Sequence, residues 1–108
     1  MSKITAAHKF SRNVENAFVN ALKGYSANMM LVDVEMHSTR DSDVFEASID
    51  IIIHNDRYTF SAETSQPDLY EKYSVVDGGY LPSEDVLISI IEIVLQDSKV
   101  QRELQQIV

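Results

Sequence analysis

The chain has no cysteine among its 108 residues, which removes disulfide frameworks, thiolate catalysis and cysteine-ligated zinc together. Glycine and proline are scarce, at three and two residues, so the chain is neither collagen-like nor low-complexity. The glycines are also too scattered to cradle a phosphate, and neither a nucleophile elbow nor an HExxH helix occurs. Long apolar runs are missing too. The longest, Val86 to Leu95, is about half of the ~20 residues that a membrane-spanning helix needs, and the opening MSKITAAHKF has no signal-peptide stretch. A cytoplasmic protein without membrane contact is therefore expected.

Basic residues are few as well: 9 Lys and Arg stand against 17 Asp and Glu, for a net charge of −8. The imbalance is uneven along the chain. Residues 1–27 hold Lys3, Lys9, Arg12 and Lys23 against Glu15, whereas residues 28–108 hold five basic and sixteen acidic groups. Binding a phosphate backbone needs Lys and Arg to neutralise it, so no direct nucleic-acid contact is expected. The same imbalance favours encounter with a basic protein partner.

What is present is a chain that is 44% apolar, enough for one compact domain spanning residues 1–108. From Ile4 to Lys23, apolar residues recur at spacings of three and four and stop at Gly24, which predicts an amphipathic helix. From Asn28 to His37, Met30, Val32, Val34 and Met36 alternate with Leu31, Asp33, Glu35 and His37, which predicts a half-buried strand. The segment VFEASIDIIIHNDRYTFSAE, Val44 to Glu63, predicts a hairpin. With Asn55-Asp56 as its two-residue turn, Ile53 faces Tyr58, Ile51 faces Phe60 and Ile49 faces Ala62. A slip of one residue would set the isoleucines against Thr59 and Ser61.

Residues 64–82 are long for a connection, and their apolar side chains suggest partial structure. Pro67 to Tyr73 fits one or two helical turns with proline at the first position. Ser83, followed by Glu84 and Asp85, reads as the N-cap of a last helix running to about Gln106, roughly 36 Å at 1.5 Å per residue. Asp85, Ser89, Glu92, Gln96, Lys99 and Glu103 line one narrow polar stripe on it, and the apolar arc is wide enough to need covering from two sides. The expected fold is α+β: helix, three-stranded antiparallel meander, loop, helix, with two helices on one face. That order resembles the double-stranded-RNA-binding domain. The family opens its last helix on a lysine-rich phosphate clamp, whereas this chain has Ser83-Glu84-Asp85 there, and residues 64–82 have no counterpart. The resemblance is thus one of element order and does not bring RNA binding with it.

Catalytic chemistry is not evident: His8, His37 and His54 lie on separate elements, with no pair at metal-ligand spacing. Asp41-Ser42-Asp43 with Glu46 lacks the glycine and spaced carboxylates of a calcium loop, so no metal or other cofactor is expected. The sheet face opposite the isoleucines is more informative. Asp33, Glu35, Glu46, Asp50 and Glu63 should gather there with only His37 to offset them, and with Leu31 and Ile52 as apolar contacts. The function expected from this is a small acidic, non-enzymatic binder that inhibits or masks a basic target. Nucleases and other nucleic-acid-handling effectors are such targets, and immunity or phage anti-defence proteins are such inhibitors. The alternative is a self-associating assembly protein or homodimer, in which Val100, Leu104 and Ile107 overhang the sheet and meet a partner.

Overall fold

The computed structural model describes residues 10–22, 29–74 and 82–107. In chain order they form α1 (Arg12–Leu22), β1 (Met29–Ser38), β2 (Phe45–Ile53), β3 (Asp56–Thr64), α2 (Pro67–Ser74), α3 (Glu84–Gln96) and α4 (Ser98–Ile107). The strands make one antiparallel sheet in the order β1-β2-β3, so the fold is the expected α+β meander. Two helices are added to the expected pair: α2 takes up part of the long connection, and the last helix is divided.

The β2–β3 turn lies one residue earlier than expected. Ile53 pairs with Asp56, leaving His54 and Asn55 as the two turn residues, at φ 51° and 73°. Two consecutive positive φ values are what a type I′ hairpin turn requires, and Asn and His tolerate that region better than most residues. The cross-strand pairs become Ile51 with Tyr58, Ile49 with Phe60 and Ala47 with Ala62. Since each pair has moved by two positions, every side chain keeps its face.

β1 departs further from expectation. A bulge falls between Leu31 and Asp33, and its extra residue is Val32. Val34 and Met36 join the isoleucine layer opposite Ile49 and Ala47, but above the bulge the phase flips. Leu31, expected on the acidic face, enters the core instead, and Met30 takes the outer position opposite Ile52. Asp33 Oδ1 accepts the Val34 N–H at 2.9 Å beside the bulge. The run Met29-Met30-Leu31-Val32 is apolar at every position, so its pattern gives no reason for one phase over the other.

α3 lies across the isoleucine face and packs against α1, which accounts for its wide apolar arc. Val86, Leu87, Ile90, Ile91, Val94 and Leu95 are buried, while Asp85, Glu92 and Gln96 remain exposed on the expected stripe. From α1 come Val14, Phe18, Ala21 and Leu22. Ser11 Oγ caps α1 by accepting the Val14 N–H at 3.3 Å. The Glu84 carboxylate at the start of α3 accepts from Asn13 Nδ2 at 3.2 Å. Hydrogen bonds from Ser11 and then Asn13 hold Glu84 below the ordinary carboxylate pKa, tying the beginnings of the two helices together. Ser83 has the extended backbone of an N-cap, yet its side chain makes no capping bond.

The expected continuous last helix is broken at Asp97. This residue leaves helical geometry at ψ 131°, and its Oδ2 accepts the N–H groups of Lys99 and Val100 at 3.1 and 3.2 Å. Gln101 Nε2 donates to the Leu95 carbonyl at 3.3 Å, satisfying one of the groups that the break exposes. The change of direction turns α4 back onto the protein. Val100 and Leu104, expected to overhang the sheet, are 0% and 1% exposed within the core, and Ile107 is half-buried against it. The surface on which self-association through this helix depended is thus used internally.

Two outcomes follow from this packing. Replacing Leu104 with Ala should cost about 2–5 kcal/mol in urea unfolding, as for a filled core position, whereas an overhanging leucine would be nearly silent. Because folding lowers the Glu84 pKa, its contribution is fully present above the unfolded value and is lost as pH falls through the folded one. Thermal midpoints of wild type and Glu84→Gln should therefore differ at neutral pH and converge in acid.

Candidate protein-binding face

Antiparallel pairing arranges the outer face of the sheet in rows across the three strands. They read His37–Glu46–Glu63, Glu35–Ser48–Ser61, Asp33–Asp50–Thr59 and Met30–Ile52–Arg57. All five expected carboxylates share this face, since strand geometry sends alternate side chains to opposite sides. α3 packs on the opposite face, and the buried side chains of α1, α2 and α4 join the core cluster there.

Two rows set like charges directly opposite, Asp33 against Asp50 and Glu46 against Glu63. Such pairs cost a few tenths of a kcal/mol each. The first is relieved locally: Arg57 Nε donates to Asp50 Oδ2 at 3.1 Å, Arg57 Nη2 donates to the same oxygen, and Thr59 Oγ1 donates to Asp50 Oδ1 at 2.8 Å. This bonding to Asp50, and then its charge, raises the Arg57 pKa, with smaller contributions from Asp33 and Glu35. His37 Nε2 lies 2.8 Å from Glu35 Oε1. Glu46 and Glu63 are exposed, and neither forms an ion pair among the described residues.

Arg57 is the residue that sequence reasoning missed. With the turn at His54-Asn55, β3 begins at Asp56 and Arg57 joins the outer face opposite Ile52. The His54-Asn55 pair was the available signal, but patterning alone does not separate it from Asn55-Asp56. Ile52 also differs from expectation: it is 6% exposed between its partners Met30 and Arg57, too buried to serve as a contact. Met30, at 49%, is the apolar side chain this face offers.

The flanks of the face are unlike each other. Beside β1 stands α2, whose Tyr70 stacks on Phe45 with ring centroids 4.6 Å apart. Tyr73 is half-buried there; burial raises its phenol pKa, and the backbone of Met36 acts the other way. Tyr80 lies outside the described residues. On the β3 flank is a groove of about 460 Å³ lined by Glu46, Ser61, Ala62, Glu63, Asp97 and Lys99. It gathers three carboxylates and one ammonium, a setting suited to accepting hydrogen bonds from a guanidinium. The Asp41–Asp43 turn is organised by its own bonds, with Asp41 Oδ1 accepting the Asp43 N–H at 3.0 Å and Thr39 Oγ1 donating to the Val44 carbonyl at 2.8 Å.

Compared with protein-family models, curated proteins and solved structures, the chain matches none of them.

If Arg57 is what makes the Asp33–Asp50 row tolerable, Arg57→Ala should lower the thermal midpoint at low ionic strength. The difference from wild type should shrink toward ~1 M salt, where the Debye length is ~3 Å. A salt-independent loss would mean that the aliphatic stem of Arg57 matters and its charge does not.

Proposed function

We propose that this protein is a non-enzymatic binder whose acidic sheet face docks on a basic protein surface and thereby inhibits or masks it. The observation carrying this reading is the Glu46–Glu63 pair, directly opposed and exposed, on a face where the fold's own packing asks for no carboxylates. Glu35, Asp33 and Asp50 extend the array onto β1 and β2, with Arg57 bonded to Asp50. A surface that presents rows of carboxylates complements one that presents rows of Arg and Lys, and such complementarity raises encounter rates and selects partners. Nucleic-acid-handling proteins carry such basic surfaces, so a nuclease or similar effector is the target class we assign. Chemistry of the immunity or phage anti-defence kind would be the consequence, in a cytoplasmic setting consistent with the absence of cysteine. Among the described residues, no helix is long and apolar enough to cross a membrane.

The test uses immobilised wild-type protein and a Glu35→Lys/Glu46→Lys variant as baits in a host lysate. Wild type should retain a basic protein at ~0.1 M salt and release it toward ~1 M, where screening is strong. The variant, with an unchanged circular dichroism spectrum, should retain nothing specific. Equal retention by both baits would dismiss the carboxylate face as the binding site.

A further inference from the structure

β3 is an edge strand, and its turn determines which of its backbone groups are unused. In a two-residue hairpin the flanking residues, here Ile53 and Asp56, form a hydrogen-bonded pair, and the pattern alternates from there. Asp56, Tyr58, Phe60, Ala62 and Thr64 therefore bond inward to β2. Arg57, Thr59, Ser61 and Glu63 direct N–H and C=O outward, and among the described residues no backbone hydrogen bond leaves β3 on that side. The other edge, β1, carries the Val32 bulge and is flanked by α2, while β3 is flanked by the start of α4 only beside Ser61 to Glu63, where Asp97 and Lys99 line the groove. β3 has neither a bulge nor a proline over its nine residues.

We propose that a second copy of this chain pairs with that edge, β3 against β3 in antiparallel fashion, to give a two-fold dimer with a continuous six-stranded sheet. The side-chain pattern argues for this occupant. Outward residues must face outward residues, and only one such register pairs opposite charges at both ends. It sets Arg57, whose Nε and Nη2 already donate to Asp50 Oδ2 of its own chain, opposite Glu63 of the second copy, so that its remaining N–H groups are shared between the two acids. Thr59 stands against Ser61, and symmetry repeats both pairs in reverse. On the core side this register places Tyr58 opposite Ala62, large against small, with Phe60 at the two-fold axis. The groove lined by Glu46, Glu63, Asp97 and Lys99, three carboxylates against one ammonium, then lies beside the Glu63 that Arg57 of the second copy meets. Shifting the register by two residues one way sets Arg57 against Ser61 and Glu63 against Asn55, and the other way sets Glu63 against Thr59 and Arg57 against Ser65, so neither pairs opposite charges. A single strand edge makes a small interface, so the dimer belongs to the weak, concentration-dependent class. The pairing shares Glu63 with the carboxylate face but is read from the oligomeric state of the isolated chain, so its failure and that of the proposed function are distinguishable.

Sedimentation of the full chain at ~0.15 M salt, across a dilution series reaching ~1 mM, tests the pairing. Wild type should pass from monomer to dimer. Arg57→Glu alone and Glu63→Arg alone each set like charges at both ends and should weaken the dimer at least ~10-fold. An equimolar mixture of these two variants restores opposite charges at both ends, and should recover a one-to-one heterodimer by native mass measurement. Thermal melts establish that each variant is folded. A wild-type monomer throughout the series, a dimer indifferent to both substitutions, or a mixture that fails to pair would each overturn the proposal.

Discussion

Where the chain reverses between β2 and β3 governs which residues of the two strands stand opposite one another. His54 and Asn55 adopt positive φ, and the two-residue turn they form locks Ile53 opposite Asp56. β2 is the central strand, so this register extends to β3 directly, while β1 has its own pairing and adjusts by a bulge. Side chains alternate with a period of two, so β2 carries an apolar layer of Ile49, Ile51 and Ile53 and a polar layer of Glu46, Ser48 and Asp50, and the turn sets which β3 residue each of them faces. The same turn determines which backbone groups of β3 bond inward and which face solvent.

The apolar layer then determines the helices. α3 is rich in β-branched residues, an unfavourable composition for an isolated helix, and its helicity comes from burial between the sheet and α1. Covering α3 on two sides occupies the core face, and folding α4 back at Asp97 adds Val100 and Leu104 to it. The carboxylates are what this packing leaves outside. They are tolerated because the sheet is stabilised from the opposite side and because Arg57 and Thr59 bond the most crowded acid, Asp50, whose side chain is 20% exposed. Opposed carboxylates supported by a large apolar core are the physical basis of the proposed recognition, since a basic partner would neutralise both members of each pair.

Much of this could be read from residue order. The alternation in Val44 to Glu63 contained the faces, the polar stripe beginning Asp85, Ser89 and Glu92 marked the helix, and Pro67 marked the start of α2. Three features were not legible, each for a specific reason. The turn position was ambiguous because a shift of two residues preserves every face. The phase of β1 was hidden because four successive apolar residues carry no periodicity. The break at Asp97 was hidden because Lys99 and Glu103 continue the polar spacing across it, while the capping role of Asp97 depends on a backbone geometry that spacing does not reveal. Among the site residues, the five acids were placed correctly. Ile52 shares that face but is buried between Met30 and Arg57, and only Leu31 changes face, turned into the core by the bulge.

The β2–β3 register can be observed directly. In an antiparallel pair the Cα atoms of non-hydrogen-bonded partners approach most closely, ~4.5 Å, so their Hα atoms give strong nuclear Overhauser cross-peaks. The register described here predicts Hα–Hα cross-peaks between Asp50 and Thr59 and between Ser48 and Ser61. Cross-peaks joining Ile51 with Phe60 and Ile53 with Tyr58 would place the turn at Asn55-Asp56 and contradict the account, because a different set of backbone groups would then line the open edge.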